Sequence, residues 1–151
     1  GLRTKYLKYK DDGHCAVTVI AKRMDGKILL QKEYSYPPNQ ELWQFPGGFV
    51  PADEKPGVGA NRELMEEAGL MSNNLKLLGS YLVNNRRSAT RMFVYLATDL
   101  EEKYLAPDPE EEIKSAWFEE HELSQMLKNN EIINCHVLSA WCLYGAKNRK
   151  I

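Results

Sequence analysis

The most constraining feature of the sequence is a group of three glutamates, Glu63, Glu66 and Glu67, spaced i, i+3 and i+4. The stretch around them has helical signals, with Pro56 suited to a first turn and Gly69 suited to a C-terminal cap. On a helix this spacing places all three carboxylates on one face, where like charges repel. A stable fold must compensate that repulsion through solvent, a neighbouring arginine or a divalent cation.

Two glycines precede this predicted helix. They help to decide whether solvent, an arginine or a divalent cation offsets the repulsion between the glutamates. Gly47 and Gly48 follow a short predicted strand and allow a tight turn with close backbone approach to a phosphate or a metal. Magnesium prefers oxygen ligands and commonly binds a few carboxylates together with substrate phosphates. The spacing of the glutamates alone is compatible with either a solvated acidic face or a magnesium site.

The wider context resembles the Nudix box, Gly-x5-Glu-x7-Arg-Glu-U-x-Glu-Glu-x-Gly-U, where U is a bulky aliphatic residue. The defined positions are filled by Gly48, Glu54, Arg62, Glu63, Leu64, Glu66, Glu67, Gly69 and Leu70. The chain is similar to Nudix hydrolases at every one of these positions. This resemblance implies one α/β domain over residues 1–151, a sandwich of α/β/α layers with a mixed β-sheet, that cleaves a pyrophosphate linkage.

The resemblance also implies roles for individual residues. It makes Glu63, Glu66, Glu67 and the Gly47 carbonyl the candidate ligands of Mg²⁺, with Mn²⁺ as an alternative ion. It further implies a salt bridge between Glu54 and Arg62 that shapes the loop before the helix, with Gly48 in the turn itself. Leu64 and Leu70 are expected to pack in the core.

The general base is not fixed by the box, because Nudix enzymes differ in where it lies. One candidate is Glu66 within the box. The others are Glu110, Glu111 and Glu112, which come from the later acidic segment directly before a predicted strand. The sequence leaves these alternatives open.

Substrate clues lie outside the box. The stretches 32–36 and 42–46 look like those of ADP-ribose pyrophosphatases, and we expect an aromatic residue there to stack on a base. An exposed basic loop after the first strand beyond the helix is expected to meet phosphates, since arginine donates paired hydrogen bonds to them. The candidate substrate-binding residues are Tyr34, Tyr36, Trp43, Arg86 and Arg87.

These clues predict a small nucleotide substrate, with ADP-ribose or another nucleotide sugar first. Oxidised or ordinary nucleoside triphosphates and dinucleoside polyphosphates are the alternatives of the same class. A non-catalytic nucleotide-binding Nudix module is the alternative of another class, although such modules usually lose box glutamates. A nucleic-acid binder has little support, because the net charge is −1.

The remaining sequence predicts alternating strands and helices. The predicted strands are Cys15–Ala21, Lys27–Gln31, a short strand from Trp43 that runs into the turn at Gly47 and Gly48, Leu75–Val83, Arg91–Thr98 and Ile113–Phe118. The predicted helices are Lys55–Ala68, Glu119–Leu127 and Ile132–Tyr144. The first two strands are expected to form a hairpin, and Asp99–Glu112 an acidic loop.

No apolar run reaches the roughly 20 residues of a membrane span. We therefore expect no membrane association and a cytoplasmic location, with a homodimer left open.

The three cysteines show no CxxC spacing, which argues against a zinc site and for buried free thiols.

Overall fold

A computed structural model describes residues 14–106 and 113–148. Within them, strands and helices alternate much as the sequence predicts. The elements are β1 Cys15–Ala21, β2 Ile28–Ser35, β3 Gln40–Gln44, β4 Phe49–Val50, α1 Pro56–Ala68, β5 Leu70–Leu82, β6 Arg91–Glu102, β7 Lys114–Phe118, α2 Glu120–Lys128 and α3 Cys135–Asn148.

The strands form two sheets, one of them mixed. The four-stranded sheet has the order β4-β1-β6-β5, and the three-stranded sheet has the order β3-β2-β7. Among the described strands, β1 and β6 run parallel, whereas the other neighbouring strands pair antiparallel. The predicted mixed α/β architecture is confirmed.

The predicted hairpin between β1 and β2 is wrong. The chain does turn at Gly26, but β1 and β2 lie in different sheets and touch through one isolated bridge between Lys22 and Ile28. Both edges of β1 are already taken, by β4 on one side and β6 on the other. β2 therefore leaves β1 and pairs with β3 and β7 instead.

The helix α1 is confirmed together with its predicted ends. Pro56 stands in its first turn, and Gly69 ends it in the left-handed conformation with φ 64°, where its N–H bonds the carbonyls of Leu64 and Met65. Leu64 is fully buried and packs against β1, as predicted. Burying an aliphatic side chain of this size contributes roughly 1.5–3 kcal/mol, so Leu64 anchors the acidic helix to the sheet.

β1 separates two clusters of buried side chains. Ile20 belongs to the cluster packed under α2 and α3, whereas Val17 and Val19 belong to the cluster packed under α1. Alternating side chains of a strand point to opposite faces, so one strand serves both clusters. β1 therefore connects the packing under α1 with the packing under α2 and α3.

Several elements differ in length from the prediction. β2 continues to Ser35 rather than Gln31, and the strand predicted from Trp43 spans Gln40–Gln44, because these two strands pair with each other. β5 begins at Leu70, directly after the helix cap, and β6 continues to Glu102, so residues 99–102 are strand rather than the predicted loop. The added lengths pair mainly with each other, and their polar side chains hide the strand pattern in the sequence. α3 starts at Cys135 because Ile132, which is buried, packs in the core before the helix begins.

The thiols are free, but none of them is fully buried, so the expectation of buried thiols is wrong. Cys15 is half-buried, whereas Cys135 and Cys142 are exposed on α3. The inward face of that helix is filled by Val137 and Ala140, which places the two cysteines on the outer face. In the described residues, no helix has both the length and the apolar character needed to cross a membrane.

Gly47→Ala should destabilise the fold through a steric clash with β1. A Cβ at Gly47 would lie 2.1 Å from the Val17 carbonyl oxygen, whereas a Cβ at Gly26 would meet nothing within 4 Å. Both glycines have positive φ, 154° and 90°, so Gly26→Ala is a matched control for backbone strain. Chemical denaturation should show that Gly47→Ala lowers the free energy of unfolding by about 2 kcal/mol more than the control. Equal losses would contradict the proposed close approach.

Candidate active site

The acidic face of α1 carries the three glutamates that the sequence singles out. Glu63 is buried, with 9% of its surface exposed, whereas Glu66 and Glu67 are half-buried. They project from a helix that Leu64 fixes on its opposite side. The carboxylates are therefore held at the protein surface by a rigid element, in partly desolvated positions.

Arg62 connects this face to the loop before the helix. Its guanidinium donates to both carboxylate oxygens of Glu54, at 3.2 and 3.0 Å. The same side chain donates to Glu63 Oε1 at 2.7 Å, to Glu66 Oε2 at 2.9 Å and to the Phe49 carbonyl oxygen at 3.3 Å. The salt bridge implied between Glu54 and Arg62 is present, and it is part of a larger ion-pair network.

The glycine turn lies against the same helix face. The backbone N–H of Gly47 donates to Glu67 Oε2 at 3.0 Å. A Cβ at Gly48 would lie 2.8 Å from the Glu63 carboxyl carbon, which shows how closely that carboxylate approaches the backbone. The turn is held in place from β1, since Val17 N–H donates to the Gly48 carbonyl at 2.9 Å. Glu63 and Glu67 are thus both positioned by the turn.

The acidic face of α1 and the loop before it bring several carboxylates around one arginine. Burial raises the pKa of the Glu63 carboxyl, and the hydrogen bond from Arg62 only partly counters that effect. The bonds to Glu54 hold the pKa of Arg62 above its usual range, so the guanidinium stays charged. One arginine faces the carboxylates of Glu54, Glu63 and Glu66. Three carboxylates around one guanidinium favour a further cation.

The donor set fits a magnesium ion in its chemistry, because all candidate ligands are hard oxygens. In residues 14–106 and 113–148, no group of three acidic, histidine or cysteine side chains is already arranged as a metal-ligand set. Glu63 and Glu66 each direct an oxygen to Arg62, and Glu67 directs one to Gly47. A bound cation would therefore share these carboxylates with Arg62 and with the Gly47 N–H.

A pocket of about 430 Å³ opens on the other side of the glycine turn. It lies between β1, the turn after β5 and the start of α3, and Gly47 and Gly48 form part of its wall. None of the described residues that line it is an aspartate, glutamate, lysine or arginine. The lining consists of Ala16, Val17, Thr18, Gln44, Phe45, Gly47, Gly48, Phe49, Val83, Asn84, Ser88, Thr90, Met92, Asn134 and His136.

The structure does not bring the predicted substrate-binding aromatics into this pocket. Tyr34 and Tyr36 are exposed and contact each other edge to face, with ring centroids 5.0 Å apart. Trp43 packs edge to face against Phe118, at 5.2 Å, beside the core under α3. Of the pocket residues, Phe49 is the exposed aromatic, with 72% of its surface accessible.

The two predicted arginines are also absent from the pocket lining. Arg86 and Arg87 are exposed in the turn between β5 and β6. Asn84 and Ser88, from the same turn, do line the pocket. The loop therefore lines the pocket through uncharged residues, and the role of the two arginines stays a prediction.

Several lining residues were missed by sequence reasoning. Asn134 and His136 belong to the start of α3, and Asn134 Oδ1 accepts a hydrogen bond from the His136 backbone N–H at 2.9 Å. An asparagine before a helix is a capping signal, but the predicted helix began at Ile132 and so concealed it. Phe49 and Asn84 have no local signal that marks them as pocket residues.

The candidate bases Glu110, Glu111 and Glu112 lie outside the described residues. The flanks of that segment are described, and they lie close to α1. Tyr104, Leu105 and Ile113 line a second pocket, of about 350 Å³, together with Glu66 and Glu67. Leu105 N–H also donates to the Met65 carbonyl at 3.4 Å.

Comparison with known proteins adds three findings. The model of the NUDIX domain family matches residues 13–138. An ADP-ribose pyrophosphatase of Mycobacterium tuberculosis (strain ATCC 25618 / H37Rv) is 30% identical over 122 residues, which cover 79% of this chain and 59% of that protein. Diphosphoinositol polyphosphate phosphohydrolase 3-beta of Bos taurus is 29% identical over 126 residues, covering 81% of this chain and 73% of the relative.

A solved structure supports the fold. The crystal structure of an ADP compounds hydrolase matches with a TM-score of 0.81 at 24% identity, covering 87% of this chain and 70% of that chain. At this identity the likeness concerns the fold alone. The chain spans 59% of the length of the Mycobacterium relative, so that protein's activity is not transferred to it directly.

Arg62→Gln should destabilise the protein, because three carboxylates would lose their shared counter-charge. We expect the free energy of unfolding to fall by about 2 kcal/mol, less than for a fully buried ion pair. The measurement is urea denaturation in the presence of a chelator. Arg91→Gln is the control, since the exposed Arg91 side chain donates to the Ser80 hydroxyl in an exposed hydrogen bond and should matter little. Similar small losses in both variants would show that the Arg62 network is not a structural element.

Proposed function

Because this chain belongs to the NUDIX domain family, we propose that it hydrolyses the pyrophosphate linkage of a nucleoside diphosphate derivative. ADP-ribose or another nucleotide sugar is the first candidate substrate. The observation that supports this most is the position of Gly47 and Gly48, which have an acidic helix face on one side and an uncharged pocket on the other. A substrate with a charged linkage and an uncharged base matches that division.

The proposed metal ligands are Glu63, Glu66, Glu67 and the Gly47 carbonyl, with Mg²⁺ as the first candidate ion and Mn²⁺ as the second. A bound divalent cation would supply positive charge that offsets the negative charge of the pyrophosphate oxygens during reaction. Nudix hydrolases generally require such an ion. The excess of carboxylates around Arg62 supports a cation at this face.

The protein's own contribution to catalysis is then positioning. Arg62 fixes the carboxylates of Glu54, Glu63 and Glu66, while the Gly47 N–H orients Glu67. The pocket holds the nucleoside part so that the linkage lies at the glycine turn. Holding the reacting groups in place in this way lowers the entropic part of the barrier, and phosphoryl transfer depends mainly on such positioning and on charge stabilisation.

In the proposed reaction, the oxygen of a water molecule attacks one phosphorus of the linkage. The bond between that phosphorus and the bridging oxygen breaks, and its electron pair stays on the bridging oxygen of the departing phosphate. A glutamate accepts the proton of the attacking water. The products from a nucleotide sugar are a nucleoside monophosphate and a sugar phosphate.

The base in this scheme is either Glu66 or one of the later glutamates. Glu66 is half-buried and accepts a hydrogen bond from Arg62 at 2.9 Å, so one of its oxygens is already engaged and is less available to an attacking water. The flanks of the later segment line a pocket with Glu66 and Glu67, which supports Glu110, Glu111 or Glu112 as the base.

Other functions have less support. Nucleoside triphosphates and dinucleoside polyphosphates contain the same linkage and are separated from nucleotide sugars by a substrate panel. A non-catalytic module is disfavoured by the retained Glu54, Glu63, Glu66 and Glu67. Diphosphoinositol polyphosphates, which the name of the Bos taurus relative suggests, carry many phosphates and would find no charged partner in the described lining of the pocket.

Glu63→Gln and Glu67→Gln should each reduce turnover by at least about a hundredfold while the protein stays folded, because the bound ion supplies several kcal/mol of transition-state stabilisation. The assay is magnesium-dependent hydrolysis of a nucleotide-sugar panel, with circular dichroism to check the fold. The control is Glu102→Gln, an exposed glutamate at the end of β6. Near-normal activity in both folded variants would rule out the proposed metal ligands.

Single glutamine substitutions at Glu66, Glu110, Glu111 and Glu112 should identify the base. Removing it should lower kcat strongly with little change in KM, since the base acts on water rather than on substrate binding. We expect this result at one of the three later positions. If the three later variants keep a normal kcat and Glu66→Gln loses most of it, the base is Glu66. Normal turnover in all four variants would refute both alternatives.

A further inference from the structure

The pocket beside the glycine turn differs sharply in charge from the acidic face of α1. Its volume of about 430 Å³ is within the range of small-molecule sites, which is roughly 300–1,000 Å³. Since none of its described lining residues is Asp, Glu, Lys or Arg, the group it holds must be uncharged and able to form hydrogen bonds. Given the proposed function, a nucleobase has this chemistry.

One wall of the pocket is built from Asn134 and His136, at the start of α3. Asn134 Oδ1 already accepts the backbone N–H of His136, at 2.9 Å. The oxygen of this amide is therefore used in capping the helix. Its Nδ2 group, which can donate two hydrogen bonds, remains for a ligand.

The imidazole of His136 is fixed by Tyr81. Tyr81 Oη lies 2.8 Å from His136 Nδ1, and the two rings stack with centroids 6.1 Å apart. Burial raises the pKa of the Tyr81 phenol, so the hydroxyl keeps its proton. Nδ1 is its one hydrogen-bond partner among the described residues, and a hydroxyl proton left without an acceptor costs more than an unused lone pair. We therefore assign the hydroxyl as the donor and Nδ1 as the acceptor.

This direction of the hydrogen bond determines the tautomer. With Nδ1 accepting, the ring proton of neutral His136 resides on Nε2. Burial lowers the pKa of His136, which keeps the ring neutral at pH 7. Both polar groups that remain on this wall, Asn134 Nδ2 and His136 Nε2, are consequently N–H donors.

We propose that this wall reads the acceptor edge of a 6-oxopurine, so that hypoxanthine and guanine nucleotides bind better than adenine nucleotides. O6 and N7 of a 6-oxopurine are both acceptors, whereas adenine presents N7 beside its own amino donor. An amino group opposite two donors leaves buried N–H groups without partners, which costs affinity. The inference rests on the proposed function and changes the order of substrates within it.

The test uses inosine and adenosine, which differ at the 6-position and lack the pyrophosphate linkage. Their dissociation constants are measured by NMR titration of the whole chain in buffer free of divalent cations. We expect inosine to bind at least about fivefold more tightly than adenosine. Equal binding, or tighter binding of adenosine, by the unmodified chain would overturn the proposal without any variant.

Variants then assign the preference to the proposed residues. His136→Phe should bring inosine down to the affinity of adenosine, and Tyr81→Phe should reduce the preference because the tautomer is no longer fixed. His121→Phe, which changes an exposed histidine on α2 in the same way, should keep the preference. A preference that survives in both folded pocket variants would contradict the assignment to His136.

Kinetic measurements distinguish a failure of the base preference from a failure of the proposed hydrolysis. If the chain hydrolyses nucleotide sugars, an inosine derivative should have a lower KM than the adenosine derivative, with similar kcat, and His136→Phe should remove that difference. Failure of hydrolysis with a retained inosine preference would refute the proposed reaction alone. Hydrolysis with no base preference would refute the proposal for the pocket alone.

Discussion

The ion-pair network of Arg62 is the interaction on which the rest of the site depends. A helix with carboxylates at i, i+3 and i+4 repels itself, and Glu54 adds a further negative charge from the preceding loop. The Arg62 guanidinium donates to Glu54, Glu63 and Glu66 at 2.7–3.2 Å. It therefore closes the loop onto the helix and fixes where these carboxylates lie. The remaining negative charge is what a divalent cation would compensate.

β1 gives this network its relation to the pocket. The backbone of β1 holds the glycine turn through bonds from Val17 and Val19, and Gly47 packs too closely on it for any side chain. One side of the turn meets the carboxylates of α1, and the other side forms the wall of an uncharged pocket. A substrate that spans the turn would place its charged and uncharged parts in matching surroundings.

The site residues in the box were predictable because their positions depend on local spacing. The helix, its cap at Gly69 and the buried Leu64 follow from the sequence, as does the pairing of Arg62 with Glu54 that the family resemblance implies. The pocket was not predictable, since Phe49, Asn84 and His136 come from distant segments that only the folded sheet brings together. The hairpin between β1 and β2 failed for a similar reason, because the edges of β1 were taken by strands that follow later in the chain.

The most direct test of the proposed reaction is hydrolysis of a nucleotide sugar in water enriched in ¹⁸O, with magnesium and with mass spectrometry of both products. We expect a nucleoside monophosphate and a sugar phosphate, with ¹⁸O on the phosphate of one product and none on a sugar carbon. Magnesium-dependent cleavage at the sugar carbon, or the absence of cleavage across a panel of nucleoside diphosphate derivatives, would contradict it.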